Sequence, residues 1–118
     1  MHRKSREVFA VGAIVKVLPA LSALGDESRL QLVIKLCRNG PQSIARLTEG
    51  AGISRQGVTK HLHALHEAGL VRRERSGREQ IWRLEPKRLD EVRRYLAQIS
   101  QQWDDALERL KAAVEKEH

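Results

Sequence analysis

The C-terminal third of the chain carries an apolar repeat that constrains the fold more than any other feature. From Pro86 onward, apolar residues recur at steps of three and four for nearly four heptads. This spacing predicts one helix of about 30 residues and, at ~1.5 Å per residue, a length of about 45 Å. A compact domain of this size does not need so long a helix for itself, so we expect the helix to pair with a second copy. The residues expected at the dimer interface are Leu21, Leu89, Val92, Leu96, Ile99, Trp103, Leu107 and Leu110.

The composition indicates one globular domain with a polyanionic partner. The chain has 118 residues, 41% of them apolar and 31% charged, which excludes a wholly disordered chain and a polytopic membrane protein. There are 22 Lys and Arg against 15 Asp and Glu, a formal net charge of +7. This excess makes nucleic acid the first candidate partner. The single cysteine cannot close an intrachain disulfide, so we expect a cytoplasmic protein without a membrane partner.

The first 25 residues allow two interpretations. Basic residues precede the apolar run Val8–Val15, as in a secretory signal. The whole apolar segment, Val8–Leu24, is only 17 residues long and contains Pro19, which is short of the ~20 residues that span a bilayer. We therefore favour a buried helix that starts at Pro19 and ends at Gly25, preceded by an N-terminal extension or helix over residues 1–18.

Two further helices are expected before residue 53. Asp26 is positioned to cap a helix that is apolar on most sides and therefore central to the core. Its single thiol, Cys37, is expected to be buried and inert, with a redox sensor beside Arg38 as the alternative. Ser43 is positioned to cap a short helix that ends at the glycines around residue 51. The apolar residues of the first of these helices are Leu30, Leu32, Val33, Ile34, Leu36 and Cys37.

A helix, a tight turn, a second helix and a basic hairpin complete the pattern. Ser54 is a good N-cap for a helix that ends at Gly69. Extended patterns over Leu70–Glu74 and Gln80–Leu84 flank the turn pair Ser76-Gly77. The predicted fold is mainly α: a single winged helix-turn-helix domain over residues 1–118, with the helices, the motif and a two-stranded wing in 19–85. Residues 86–115 form the dimerisation helix.

In this fold the second helix of the motif enters the major groove of double-stranded DNA. The face opposite its apolar stripe carries long donor side chains that suit base edges and phosphates. The wing tip is basic, which suits contacts to the DNA backbone. An ordinary solvated polar face is the alternative for either surface. The candidate DNA-binding residues are Ser54, Arg55, Gln56, Thr59, Lys60, His63, Arg75 and Arg78.

Neither a metal site nor an enzyme is expected. Residues two apart on a helix point ~200° apart, so of the three histidines at 61, 63 and 66 only His63 and His66 can converge. Two imidazoles without a third ligand make a weak zinc site. Nucleophile-elbow, P-loop and His-Glu-x-x-His patterns are absent from the sequence. We expect no catalytic residue and no cofactor.

Four segments resemble the ArsR/SmtB family of bacterial repressors: Ala23–Leu30, Ile53–Leu62, Ala68–Val71 and Gly77–Pro86. The resemblance implies a homodimeric, cytoplasmic winged-helix repressor that releases its operator when an effector binds. The base-reading positions of the family fall on Arg55, Gln56, Thr59 and Lys60.

Two metal boxes of the family are missing. Ser43 and Ala45 replace a Cys-x-Cys pair, and the segment Asp90–Val92 lacks the histidine of an Asp-x-His pair. The resemblance is therefore to the branch without metal boxes, and the effector stays open. The prediction is a sequence-specific repressor that binds a pseudo-palindromic operator. The alternatives are a winged-helix protein-interaction module and a non-specific architectural DNA-binding protein.

Overall fold

The computed structural model describes residues 2–116, with side chains described at residue 12 and from residue 14 onward. It confirms a mainly helical winged helix-turn-helix with a hairpin wing and a long C-terminal helix. The elements are α1 (His2–Leu24), α2 (Glu27–Asn39), β1 (Gln42–Ser43), α3 (Ile44–Thr48), α4 (Arg55–Glu67), β2 (Val71–Ser76), β3 (Glu79–Leu84) and α5 (Pro86–Lys116).

Side-chain caps start the three central helices where the sequence predicts them. The Asp26 carboxylate accepts the N–H of Arg29 at 3.0 Å at the start of α2. The Ser54 hydroxyl accepts the N–H of Gly57 at 3.1 Å at the start of α4. Each cap satisfies a backbone donor that has no partner inside the helix. In the same way, the hydroxyl of Ser43 accepts from the N–H of Arg46 at 3.3 Å and starts α3.

The start of α1 differs from the prediction. Pro19 lies inside α1, which begins at His2, so the expectation of a helix that starts at Pro19 is wrong. A proline in a helix interior removes one hydrogen bond to the carbonyl four residues earlier. Here that residue is Val15, which is 69% exposed, so this part of the helix lies at the surface. Val17, Ala20 and Ala23 face the other way and belong to the core.

The wing is part of a three-stranded antiparallel sheet with the order β1-β3-β2. The third strand, β1, was not predicted, because two residues are too few to show an alternating pattern. It pairs Gln42 with Trp82 and Ser43 with Ile81. Trp82 is fully buried. The sheet therefore anchors the wing beside the start of α3.

The core lies between α2, α4 and the sheet. Val58, Leu62 and Leu65 of α4 are fully buried, as their spacing predicts. On α2, by contrast, only one side is buried, and Leu30 and Ile34 are 43% and 39% exposed. Cys37 is exposed on the same side. The expectation of a buried thiol in an all-round apolar helix is therefore wrong, because α2 lies at the edge of the core.

The glycine that ends α4 marks a contact between the DNA-binding motif and α5. Gly69 has a φ of 78°, a left-handed conformation that favours glycine. A Cβ there would lie 2.9 Å from the Nε of Arg88. The Arg88 guanidinium continues past Gly69 to the carboxylate of Glu91, with an Nη1 to Oε2 distance of 2.9 Å. The end of α4 and the first turn of α5 are thus packed directly against each other.

Candidate nucleic-acid interface

The exposed side of α4 carries most of the predicted DNA-binding residues. Its buried stripe turns the polar side chains outward, and Gln56, Lys60 and His63 are exposed. Thr59 is half-buried, and its hydroxyl donates to the carbonyl of Arg55 at 2.9 Å. Because that proton is in use, Thr59 offers a nucleic acid its methyl group and its oxygen lone pairs. We call these four residues the reading face.

Ser54 and Arg55 stand apart from the reading face. The Ser54 side chain is the N-cap described above, so its oxygen already accepts a backbone N–H. Arg55 is exposed and lines a cleft of about 230 Å³ between the start of α4, the start of α3 and the turn of the wing. The structure brings Arg78 and Ser43 to the same cleft. Sequence reasoning proposed Arg55 and Arg78 separately and missed Ser43, because β1 was not predicted.

The wing is basic at its turn and charge-balanced at its base. Strands β2 and β3 place Arg75 opposite Gln80 and Ser76 opposite Glu79. At the base, Arg72 pairs with Glu85, and a guanidinium nitrogen of Arg83 lies 3.1 Å from a carboxylate oxygen of Glu74. The hydrogen bond from Arg72 holds the pKa of Glu85 below its ordinary value. Among the described residues, Arg75 and Arg78 form no ion pair within 4.0 Å, so their charges are available to a partner.

The three histidines of α4 point in two directions. His61 lies 3.8 Å, from Nδ1 to a carboxylate oxygen, from Asp26 at the start of α2. His63 and His66 instead present their rings edge-on to Trp82, with centroid distances of 5.9 and 6.4 Å. This confirms that only the latter two share a face. Across the part of the chain that the structure describes, no three His, Cys, Asp or Glu side chains are grouped to hold a metal ion.

Trp82 is a second residue of this region that sequence reasoning did not single out. It is fully buried, and its indole Nε1 has no hydrogen-bond partner. The imidazoles of His63 and His66 and the neighbouring strand β1 lie around the indole. Trp82 therefore fixes the wing relative to α4. The alternation of Trp82 and Leu84 about the polar Arg83 marks the strand but does not reveal which helix covers the indole.

A second exposed surface lies on α5 and is apolar. Beyond Tyr95 the helix leaves the body of its own chain, and its apolar side chains are 40–67% exposed. The same is true of part of α1, where Ile14, Val15 and Leu18 are 39%, 69% and 56% exposed. The apolar stripe of α5 consists of Leu96, Ile99, Trp103, Leu107, Leu110 and Val114.

Three residues predicted for the dimer interface are partly or wholly covered by their own chain. Val92 is only 5% exposed and belongs to the core of its own chain, so its assignment to the interface is corrected. Leu21 and Leu89 are half-buried against the same core and have little side chain left for a partner. The repeat runs through both halves of α5, but the first half packs against its own chain.

Among the described residues, no helix has both the length and the apolar character needed to cross a membrane.

Comparison with known proteins agrees with this geometry. The family model described as MarR family matches residues 28–79, the part from α2 to the wing turn. The transcriptional regulator NmtR of Mycobacterium tuberculosis is 36% identical over 72 residues, which are 61% of this chain and 59% of the relative. The chain thus spans about three fifths of the length of that curated relative.

Two solved structures match over most of their length. An ArsR-like transcriptional regulator from Rhodococcus sp. RHA1 is 34% identical with a TM-score of 0.71, covering 85% of this chain and 93% of that chain. The transcriptional repressor BigR from Xylella fastidiosa is 28% identical with a TM-score of 0.59, covering 79% of this chain and 91% of that chain. By the arrangement of its helices and wing and by these relatives, the chain belongs to the ArsR family of winged helix-turn-helix transcriptional regulators.

Proposed function

We propose that the protein is a repressor that binds a pseudo-palindromic DNA operator as a homodimer. The observation that carries this proposal is the exposed reading face of α4 beside a wing turn whose arginines have no ion-pair partner among the described residues. Such side chains fit base edges and phosphates of double-stranded DNA. Repression is supported by the likeness to BigR, a transcriptional repressor. The proposed contacts are Gln56, Thr59, Lys60, His63, Arg75 and Arg78, with Ser54 capping the helix that presents them.

A homodimer is the second part of the proposal. Exposed large apolar side chains grouped on one helix of a monomer are typical of an interaction site. The apolar stripe of α5 and the exposed face of α1 are uncovered in the single chain, and both would be covered by a second copy. Two-fold symmetry then gives one reading helix to each half of the operator, with the two helices ~34 Å apart.

Selection of bound DNA from a random pool, combined with sedimentation, tests the proposal. We expect one enriched sequence with two inverted half-sites and a complex that contains two chains. An interaction module would enrich no sequence. An architectural DNA-binding protein would bind DNA in a salt-dependent manner, with operator and random duplex bound almost equally. Either result would contradict the repressor.

A further inference from the structure

The position of Arg55 around α4 separates it from the reading face. Successive residues of a helix are ~100° apart, so Arg55, three residues before the buried Val58, lies only about 60° from the buried stripe. Gln56 and Lys60 are each two residues from Val58 and lie on the opposite side, about 160° from the stripe. A side chain at the position of Arg55 points along the flank of the helix, toward the wing.

The flank of α4 on which Arg55 lies forms one wall of the 230 Å³ cleft. Arg78 comes from the wing turn, where Gly77 adopts a φ of 63° and allows the tight reversal. Within the described residues, neither Arg55 nor Arg78 makes an ion pair within 4.0 Å. One carboxylate, that of Glu79, also lines the cleft, so the two arginines leave a net positive charge. The remaining lining residues are Ser43, Ile44, Ala45 and Gln80.

We propose that this cleft binds a single phosphate of the DNA backbone, clamped between Arg55 and Arg78. Because a water molecule takes ~30 Å³, the cleft has room for a phosphodiester group and a few waters. Guanidinium groups bind phosphate oxygens through paired N–H donors. Arg55 then positions α4 against the backbone, and base recognition falls to the reading face. This inference rests on the proposed function and changes the role that the sequence suggests for Arg55, which is recognition of guanine.

The clamp has a consequence for sequence preference. A phosphate contact fixes the register of the protein on the duplex but carries no base information. Loss of Arg55 should therefore weaken binding to every operator variant by the same factor. Loss of Gln56, on the reading face, should weaken binding most at one base position.

The main experiment replaces the operator phosphates one at a time by neutral methylphosphonates. With the wild-type chain, we expect one substitution in each half-site to lower affinity about 10-fold through this contact. Arg55→Ala and Arg78→Ala should each lower affinity for the normal operator, and each should respond to that same substitution less than the wild type does. Arg38→Ala, which removes an exposed positive charge at the end of α2, is the matched control and should keep the wild-type response. The clamp would be overturned if the two alanine variants lost sensitivity at different phosphates, or if Arg55→Ala changed the base preference.

Two further measurements separate the possible failures. On random duplex, the salt slope is the change in log affinity per unit change in log salt concentration. In the double variant Arg55→Ala/Arg78→Ala this slope should fall by about one per subunit if both arginines share a phosphate. It should fall by about two if they do not. This test holds even if selection finds no operator, a result that would refute the proposed function alone. Inorganic phosphate at constant ionic strength tests a free anion as the occupant. Binding of millimolar phosphate to the wild type, absent in the double variant, that leaves operator affinity unchanged would assign the cleft to a free anion and overturn the DNA assignment.

Discussion

Replacing Trp103 with alanine should separate the two subunits and leave each one folded. Trp103 is 67% exposed in the single chain and lies within the apolar stripe of α5. A fully covered aromatic side chain buries about 200 Å², so the exposed part of Trp103 offers about 130 Å² to a partner. At about 25 cal/mol per Å², this area contributes about 3 kcal/mol per subunit.

The dimer contains the substitution twice, and alanine keeps a small part of the contact. We therefore expect the free energy of dimerisation to fall by about 4 kcal/mol, which weakens the dimer roughly 10³-fold. Sedimentation equilibrium over a range of protein concentrations measures this change. Operator affinity should fall as well, because two half-sites are no longer bound by one joined pair.

Two controls make the result specific. Gln101→Ala removes an exposed side chain from the opposite face of the same helix and should leave the dimerisation constant unchanged. Circular dichroism of the dilute, monomeric variant should show the wild-type helix content, since Trp103 contributes little to the fold of one chain. A Trp103→Ala chain that dimerises as tightly as wild type would refute the assignment of this surface to the subunit interface.

Two other perturbations test other parts of the structure. Gly69→Ala should lower the free energy of unfolding by about 1 to 2 kcal/mol, because alanine is strained in the left-handed conformation. The loss should be larger than this, because the added Cβ must displace the Arg88 side chain. Urea denaturation that shows no loss would contradict both the left-handed backbone at Gly69 and its contact with Arg88. The Asp26 carboxylate accepts the backbone N–H of Arg29, and this hydrogen bond lowers the pKa of Asp26. The cap therefore stabilises the fold at neutral pH, and this stabilisation is lost as the pH falls below about 4. Asp26→Asn should flatten the acid limb of a stability profile, and an unchanged limb would rule out this role.

Much of the DNA-binding half could be predicted because its signals are local. The hydroxyl of Ser54 caps α4, the glycine at 69 ends it, and the 3.6-residue period of Val58, Leu62 and Leu65 sets its buried face. These features depend on residues within one or two turns of each other, so the sequence specifies them without knowledge of the fold. The direction of the reading face follows from them directly.

Other features depend on contacts between residues that are distant in the chain. The apolar repeat of α5 shows no break at Tyr95, yet Val92 is buried in its own chain while Trp103 is exposed, because the body of the domain ends between them. The sequence likewise shows Cys37 in an apolar helix but not that α2 lies at the edge of the core.

The sequence by itself determined the order of the helices from α2 onward and of the two wing strands, the caps, the polar side of α4 and the length of α5. Only the tertiary structure decided that Arg55 and Arg78, 23 positions apart, line one cleft, and which half of α5 is left uncovered. The physical reason is that caps and periodicity act within a few residues, whereas burial and clefts form only when separate elements pack together.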